Sequence, residues 1–552
     1  AVGFAFGQTV TLLEQTGDAD WLSTTAAWLA DLRLRIAMEV RSVLPEAPGA
    51  IAVALITGDQ GAIPKPVLEA MRDSGLSHLL SISGLHIGLV AGILFIGLRA
   101  MLALIPPLVL NHPTKKWAAA TALLGTLFYL LLAGAPVPTQ RAYLMTGIVL
   151  LAVLFDRKAI SMRTVALAAT AVLLILPDAL VGASFQMSFA AVVALVAVYE
   201  ASEPLRLRWR ANAPWPRTAA LYVGGIAAMS LIATAATSPF VAYHFDRFTA
   251  YGVFANMLAV PLTSFWVMPF AVAAVLLMPF GLAWLALVPM GWGIEGIVWI
   301  ADVVAALPGA VSLVPAMPIG GLLLTTLGGL WLCLWQRRWR LLGLPAIGLG
   351  LLSVLMVRPP DILISEDGRL VAVADGDGKL LLSSRRVGRF EADAWLLRAG
   401  EDAALDWPTD GYGAGGRLAC DNLGCIYSAA GWTVAIAHEP DALIEDCQVA
   451  DIVLSLEPMR GPCRSAKRVI DRFDLWRDGA HALWIDDEQA VRIESVRARR
   501  GDRPWVVQPG REVGGTSASE PGGLRDRVRR VRTRGRTAGR RRASRRSVLR
   551  GR

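Results

Sequence analysis

Charged residues are scarce in this chain of 552 residues. Only 18% of them are Asp, Glu, Lys or Arg and 54% are hydrophobic, whereas an ordinary soluble protein is about 25% charged. A single soluble core stops growing beyond about 250–300 residues. The composition therefore excludes one large soluble domain and predicts that lipid is the solvent. The 18 tryptophans agree with this, because indole rings favour the membrane–water boundary.

Two chemical signatures are missing as well. No Gly-x-x-x-x-Gly-Lys-Ser/Thr string occurs, so we expect that the chain does not hydrolyse ATP itself. Histidine is rare, and residues 361–507 contain only His438 and His481. A two-metal hydrolase site needs more ligands than these two separated side chains supply. We therefore predict no bound metal and no cofactor.

The positive charge is concentrated at one end of the chain. The formal net charge is +9, yet residues 511–552 hold 15 Arg and three acidic residues, so the rest of the chain sums to −3. Residues 508–552 are predicted to be a disordered Arg-rich tail, because they have almost no apolar content. This tail either binds nucleic acid or anionic lipid without specificity or is only an extension. At the other end the chain starts at Ala1 rather than Met, from which we expect a missing upstream piece.

Apolar runs typical of membrane helices occupy the middle of the chain. We predict a polytopic α-helical membrane protein of about 10 spans plus a re-entrant segment at residues 250–260, bounded by Pro261. A soluble β-rich or α/β domain is expected C-terminal to it, because short alternating strands are separated there by Gly and Asp turns. Residues 18–44 predict an amphipathic helix that is too polar to span the membrane and that lies at the interface or packs on another domain. The spans are expected near residues 86–110, 117–135, 141–155, 164–177, 184–199, 218–237, 262–280, 282–306, 319–335 and 341–357.

Basic residues favour one face of the predicted membrane domain. Lys and Arg cluster after the first, third and fifth spans, and the positive-inside rule makes that face cytoplasmic. If residues 250–260 are re-entrant, the last span delivers everything after residue 358 to the periplasm. If residues 250–260 cross the membrane fully, every segment after them lies on the opposite side of the membrane. The C-terminal domain is therefore expected in the periplasm. Four of the five cysteines lie in it, and an oxidising compartment favours disulfides over a structural zinc, with the pairing left open among Cys420, Cys425, Cys447 and Cys463.

Polar residues are concentrated at the mouth of the first long apolar run, in the string SGLSHLLSISGLHIG at residues 74–88. Eight residues separate His78 from His86, so both face one groove if a single helix continues through Gly84. Polar groups in a membrane usually face other protein or water, because their desolvation is costly. The residues alone leave two roles equally open, a working site or hydrogen bonds between neighbouring helices.

The string at 74–88 closely resembles the hallmark of the ComEC competence family, inner-membrane proteins through which DNA strands reach the cytoplasm. Three further segments resemble the family's pattern in the same order: GAPVPTQRAYLM at 134–145, PDALVGASFQMSFAA at 177–191 and TSPFVAYHFDRFTAYGVFANMLAVP at 237–261. The resemblance covers roughly residues 1–357. Residues 1–7 look like the tail of the small β domain that precedes this region in the family.

The resemblance implies a channel in the bacterial inner membrane that conducts single-stranded DNA during natural transformation. Arg141 is expected either to contact phosphate or to pair with backbone carbonyls at a helix end. Gln186 and Asn256 are expected more often to bond helices together than to touch the strand. The residues predicted for the DNA path or the structural core of the channel are His78, Ser81, Ser83, Gly84, His86, Thr139, Gln140, Arg141, Gln186, Ser188, His244 and Asn256.

The C-terminal region departs from the family's pattern. Many members end in a metallo-β-lactamase-like domain with a His-x-His-x-Asp-His signature, which this chain lacks. We therefore expect that this chain has no nuclease activity and is not an enzyme. The expected regions are 1–58, the end of a β domain and the interfacial helix; 59–357, the transmembrane competence domain; 358–507, a degenerate metallo-β-lactamase-like domain; and 508–552, the tail.

The resemblance also implies partners. These are a periplasmic DNA-binding competence protein, a cytoplasmic helicase-like motor, the single-stranded DNA and the lipid bilayer. The alternative function is a polytopic transporter of another anionic substrate, and a vestigial family member is a further possibility that the missing metal motif supports.

Overall fold

A computed structural model describes residues 21–503 except 159, 211–213, 460, 462, 464, 488–489 and 502. The predicted Arg-rich tail and the predicted β-domain remnant at 1–7 lie outside these residues. The described chain divides into two units. Unit 1 contains the residues up to Pro359 together with Asp377–Arg385 and Arg389–Asp406, and unit 2 contains Pro360–Gly376, Arg386–Gly388 and the residues from Trp407 onward.

Unit 1 is mainly helical. It also contains the antiparallel ribbon of β1 (Arg247–Thr249) and β2 (Val311–Leu313). Its helices up to Pro359 are α1 (Trp21–Val43), α2 (Glu46–Thr57), α3 (Lys65–Asp73), α4 (Gly84–Ala103), α5 (Pro106–Asn111), α6 (Thr114–Leu132), α7 (Val137–Leu154), α8 (Met162–Ile175), α9 (Ala183–Arg210), α10 (Trp215–Phe245), α11 (Gly252–Leu262), α12 (Met268–Leu277), α13 (Trp284–Ala305), α14 (Ile319–Leu334) and α15 (Gly343–Leu352).

The core of unit 1 forms around α2 and α13. Glu46 in the first turn of α2 suits the positive end of the helix dipole, and Gly58 ends the helix with a φ of 82° that favours glycine. Every residue from Gly49 to Thr57 is buried. On α13, Met290 and Ile294 are fully buried in the same apolar cluster. A short apolar helix packed all round by other helices is therefore the centre of this unit.

Helix α1 confirms the helix predicted at residues 18–44 and attaches to the end of α6. Its Arg33 donates from Nε to the Leu132 carbonyl and from one terminal nitrogen to the Leu131 carbonyl, both at 2.8 Å. The last carbonyls of a helix lack partners within it and carry partial negative charge. Arg33 therefore satisfies the C-terminal end of α6. Its interfacial position in a membrane stays a prediction.

The expected re-entrant segment at 250–260 is wrong as a separate element. Residues from Gly252 continue through Pro261 and a π-helical turn at Thr263–Val267 into α12. The Thr263 hydroxyl donates to the Ala259 carbonyl at 2.8 Å. Threonine side chains and local π turns re-satisfy the backbone groups that a membrane proline frees. Pro261 therefore lies inside one long helix and does not end it.

Seven helical stretches are long and apolar enough to cross a membrane, by length and composition alone, among the residues that the structure describes. They are Gly84–Ala103, Val137–Leu154, Ala183–Trp209, Trp215–Phe245, Gly252–Phe280, Trp284–Ala305 and Arg338–Met356. This confirms a polytopic helical protein. The predicted count of about 10 spans is not confirmed, since the spans expected near 117–135, 164–177 and 319–335 correspond to helices outside this set.

Helices α14 and α15 form a closely packed hairpin. A Cβ atom added at Gly328 would lie 2.7 Å from the Gly343 carbonyl oxygen, and one added at Gly321 would lie 2.8 Å from the Gly350 carbonyl oxygen. Small residues let helix backbones approach closely where apolar burial gives no advantage over lipid. The glycines therefore let α14 and α15 approach closely along the length of the hairpin.

The chain after Pro359 is β-rich, which confirms that part of the prediction. Unit 1 includes the parallel pair β5–β6 and α16. In unit 2, β10, β11 and β12 are parallel neighbours in a sheet of order β12-β11-β10-β9-β8-β7, and β14, β13, β3 and β4 pair antiparallel in that order. The elements are β3 (Ile362–Ile364), β4 (Val371–Ala374), β5 (Leu380–Leu382), α16 (Arg389–Ala399), β6 (Leu405–Asp406), β7 (Gly411–Gly413), β8 (Leu418–Cys420), β9 (Gly424–Ala429), β10 (Trp432–Ala437), α17 (Leu443–Val449), β11 (Ile452–Ser455), β12 (Arg468–Ile470), α18 (Arg472–Asp478), β13 (His481–Asp487), β14 (Ala490–Ser495) and α19 (Val496–Arg500).

Two disulfides cross-link unit 2. Cys420 pairs with Cys425 between the neighbouring strands β8 and β9, and Cys447 of α17 pairs with Cys463. Of the three pairings that the sequence leaves open, the structure has the one between cysteines adjacent in the chain. Cys333 of α14 is a free thiol.

Candidate functional site

Helix α4 begins at Gly84, so His78 and His86 are not on one helix that would place them in a common groove. Ser83 caps the helix, and His86 at the third helical position completes a capping box with it. His78 lies in a separate short turn, is exposed, and its Nδ1 is 3.2 Å from the Gly75 carbonyl oxygen. The two histidines therefore do not share one continuous helix, and the condition set by the sequence is not met.

His86 is fully buried at the start of α4. Its Nδ1 accepts a hydrogen bond from the Ser83 backbone N–H at 3.2 Å and lies 3.1 Å from the Ser83 hydroxyl. An accepting Nδ1 in a neutral imidazole leaves the proton on Nε2. Among the described residues, that Nε2 has no hydrogen-bond partner. A buried donor without a partner costs free energy, so the ring is a polar group held in an otherwise apolar place.

The first turn of α7 connects this break to α9. Thr139 is fully buried and donates to the Ile82 carbonyl at 3.1 Å, just before α4. Gln140 donates to the Ala135 carbonyl at 2.7 Å, within its own loop. Positions 139 and 141 point about 200° apart around a helix. Thr139 therefore contacts the break before α4, while Arg141 turns towards α9.

Arg141 is a buried cation held by hydroxyl groups. The residue is 4% exposed, and one terminal nitrogen donates to Ser184 Oγ at 2.5 Å and to Ser188 Oγ at 3.3 Å. Of the acidic side chains in the described part of the chain, none lies within 4.0 Å of its guanidinium. A buried charge without a counter-charge costs several kcal/mol. Among the described residues, hydroxyl groups and no carboxylate therefore surround the Arg141 guanidinium.

The opposite face of α9 bonds to α10. His244 Nε2 lies 2.9 Å from Gln186 Oε1, and Gln186 Nε2 donates to the Leu180 carbonyl at 3.0 Å. Both side chains are half-buried. Ser184 and Ser188 face α7 while Gln186 faces α10, so α9 carries polar contacts on two faces. Polar pairs therefore join α7, α9 and α10 into what we call the polar bundle.

The structure brings together some of the predicted site residues and separates others. Ser83 meets His86, Arg141 meets Ser188, and Gln186 meets His244. Asn256 is apart from these contacts, and its buried Oδ1 has no partner among the described residues. Ser81 is half-buried and Gly84 is exposed at the start of α4. Whether these residues form a DNA path stays a prediction.

Sequence reasoning missed two members of the site. Ser184 accepts the shorter of the two hydrogen bonds from Arg141. The Ile82 carbonyl accepts the hydrogen bond from the Thr139 hydroxyl. Ser184 lies four residues before Ser188, on the same face of a helix. That spacing was the available signal for Ser184. A backbone carbonyl exposed by a helix break gives no signal in the residue types.

The two histidines of unit 2 lie at the ends of different strands. His438 follows β10 and His481 begins β13. Burial lowers the pKa of both below the ordinary value, and the Gly424 and Leu423 amides lower the pKa of the Asp421 carboxyl. The expectation of no metal and no nuclease activity stays a prediction.

Comparison with known proteins links the helical region to one family. A family model described as Competence protein matches residues 55–339. ComE operon protein 3 of Bacillus subtilis is 33% identical over 247 residues, which are 45% of this chain and 29% of that protein. Competence protein ComA of Neisseria gonorrhoeae is 30% identical over 267 residues, 46% of this chain and 35% of that protein.

A third relative is more distant. Recombination protein 2 of Haemophilus influenzae is 25% identical over 279 residues, 50% of this chain and 35% of that protein. The chain thus spans about a third of the length of these curated relatives. No solved structure matches. The matched range contains the polar bundle and the start of α4.

Proposed function

The chain belongs to the competence protein family, and from that premise we propose that it forms the inner-membrane channel through which single-stranded DNA enters the cytoplasm during natural transformation. The observation that carries this proposal is Arg141, a buried guanidinium without a carboxylate partner among the described residues, within the family's matched range. Phosphate groups along a strand supply the missing negative charge as they pass.

The polar bundle is the proposed wall of the path. Guanidinium groups bind phosphate oxygens with charge-assisted hydrogen bonds, and phosphate contacts carry no sequence information. A conduit for strands of any sequence needs that property. Ser184 and Ser188 hold the Arg141 side chain at 2.5 and 3.3 Å and offer no competing negative charge. The arrangement supports weak, repeated contact with a moving strand.

The sidedness of the protein is part of the proposal. The basic loops after the first, third and fifth expected spans favour the cytoplasm, and the two disulfides of unit 2 favour an oxidising compartment. We therefore propose a periplasmic unit 2. A periplasmic DNA-binding competence protein and a cytoplasmic helicase-like motor are the proposed partners, since a P-loop is missing from this chain.

The same observation favours one second candidate. A buried arginine between two serines, with no carboxylate partner in the described part of the chain, suits any anion, so a transporter of a different anionic substrate is the alternative. Such a protein needs no DNA, and its loss leaves transformation unchanged. The two functions therefore give opposite results in one assay.

The test follows labelled double-stranded DNA in cells that lack the gene and carry wild type, Arg141→Gln or Arg208→Gln. Arg208 is an exposed arginine on α9 and serves as the matched control. We expect DNA to stop in the periplasm without the gene, and we expect Arg141→Gln to reduce its entry into the cytoplasm about 10- to 100-fold at normal membrane levels of the protein. Arg208→Gln should restore entry. Equal cytoplasmic entry with and without the gene would contradict the proposal and favour the transporter.

A further inference from the structure

The turn between α14 and α15 carries an unusual concentration of tryptophan and arginine. Trp331, Trp335 and Trp339 pack against one another, with ring centroids 4.3 to 5.4 Å apart. Trp331 Nε1 donates to the Trp339 carbonyl at 3.1 Å, which fixes the first ring against the turn. An open groove beside them is lined by Gln336, Arg337, Arg338 and Trp339. We call Trp331, Trp335, Trp339, Arg337, Arg338 and Arg340 the Trp–Arg cluster.

The charge of this cluster is not balanced by the protein around it. No Asp or Glu occurs between Asp302 and Asp361 in the sequence. In the part of the chain that the structure describes, none of the three arginines forms an ion pair. Arg337 and Arg338 are exposed, and Arg340 is half-exposed. The cluster therefore presents three positive charges to whatever lies at the end of the hairpin.

The position of the cluster in the hairpin indicates which part of the membrane surrounds it. The turn joins two apolar helical stretches, Ile319–Leu334 and Arg338–Met356, so it stands where apolar chain meets water. Indole rings prefer this boundary, and basic residues there attract anionic lipid headgroups. We propose that the Trp–Arg cluster binds the headgroup of an anionic phospholipid, with the phosphate on the arginines and the glycerol region against the exposed tryptophan surface.

The rings themselves disfavour a nucleic-acid strand as the occupant. Bases bind aromatic side chains by stacking on an open ring face. In the cluster the three rings pack against one another at tilted or edge-on angles and at close distance, so part of the surface of each ring is already in contact with another ring. Two of the tryptophans remain partly exposed, Trp335 at 41% and Trp339 at 44%. Such a surface suits contact with the lipid headgroup region better than stacking with the bases of a nucleic-acid strand.

The test measures lipid binding to the purified full-length protein in detergent by native mass spectrometry. Phosphatidylglycerol is titrated against phosphatidylcholine on wild type and on a variant carrying Arg337→Gln, Arg338→Gln and Arg340→Gln. The control variant carries Arg157→Gln, Lys158→Gln and Arg163→Gln, which removes the same charge from exposed positions before α8 and in its first turn, where the sequence has no tryptophan. A thermal unfolding curve of each variant establishes that it is folded.

We expect wild type to retain phosphatidylglycerol in preference to phosphatidylcholine. The affinity should fall about fivefold for each arginine removed, because each basic residue near an anionic surface contributes about that factor. The control variant should keep the tightest phosphatidylglycerol site. Replacement of Trp335 and Trp339 by leucine should weaken retention while the arginines remain. Inorganic phosphate at the same phosphate concentration should not displace the lipid.

Three results would overturn the proposal. Equal retention of the two lipids by wild type shows that the headgroup charge is not recognised. An equal loss of phosphatidylglycerol affinity in the cluster and control variants shows that lipid binding depends only on the net charge of the protein. Binding of a short oligothymidylate that displaces the lipid and is itself lost in the cluster variant assigns the site to nucleic acid instead. Each result is independent of whether the protein conducts DNA.

Discussion

Two groups of helices in unit 1 are held together in different ways. In the group around α2 and α13, nine of the 12 residues of α2 and nine of the 22 residues of α13 are buried, and nearly all of them are apolar or glycine. In the polar bundle, α10 buries only Pro239 and Phe240 of its 31 residues. There the contacts between helices include Arg141 with Ser184 and Gln186 with His244.

The difference separates a scaffold from a working region. Close apolar packing gives one well-ordered arrangement that tolerates little change. Helices that bury few residues and meet through polar groups can change their contacts at lower cost, and elements that move in function come from the less stable parts of a protein. We infer that α2 and α13 fix the fold while α7, α9 and α10 handle the anion. Substitutions in the two groups should therefore fail in different ways.

The largest effect is expected from Ile294→Ala in the scaffold. Ile294 is fully buried, and truncating such a side chain to alanine costs about 2–5 kcal/mol of folding free energy. We expect a lower midpoint of thermal unfolding in detergent and less folded protein in the membrane. Trp292→Ala, at a position 62% exposed on the same helix, is the control and should leave the midpoint nearly unchanged. An unchanged midpoint for Ile294→Ala would remove α13 from the scaffold.

The next effect concerns Arg141 and should fall on transport. Hydrogen bonds to charged groups contribute about 1.5–3 kcal/mol, so Arg141→Gln is expected to reduce DNA entry about 10- to 100-fold, with a smaller change in the unfolding midpoint than Ile294→Ala gives. Arg141→Lys keeps the charge but loses the planar donor geometry and should retain an intermediate rate. The measurement pairs cytoplasmic entry of labelled DNA with thermal unfolding. If both variants fold poorly, Arg141 belongs to the scaffold after all.

An arginine of the scaffold should show the reverse pattern. Arg33 binds the last carbonyls of α6, and Arg33→Ala should cost about 1–2 kcal/mol, as expected for a charged group lost from a helix C-terminus. DNA entry per folded molecule should not change. Arg35, which is exposed and paired with Asp31 in its own helix, gives the matched control Arg35→Ala. Loss of entry without loss of stability in Arg33→Ala would contradict the division into two groups.

The smallest effect is expected when Gln186 and His244 are replaced together. Exchanging both partners of a hydrogen bond for apolar groups of similar shape is nearly neutral, so Gln186→Leu with His244→Phe should change stability by less than about 1 kcal/mol. If the pair only joins α9 to α10, the double variant transports DNA and each single variant is worse. A double variant that folds and does not transport places the pair on the path itself.

The sequence predicts the helices of unit 1 better than their polar contacts. The apolar runs around α4, α7 and α13 are long, and length is the property that makes membrane helices recognisable. Pro261 predicts a boundary because proline usually ends a helix, yet Thr263 and a π turn let the helix continue. The sequence leaves open whether a helix continues through Gly84, because His86, and not the usual Glu or Gln, completes the capping box of Ser83.

The most direct test of the division is to ask which group the incoming strand touches. A photo-crosslinking amino acid at Gln140, beside Arg141 in the polar bundle, is compared with one at Ile297, buried in the scaffold, while transforming DNA is held in transit. We predict crosslinks to single-stranded DNA from position 140 and none from position 297. Crosslinks from 297 alone, or from neither position in cells that take up DNA, would contradict a path along the polar bundle.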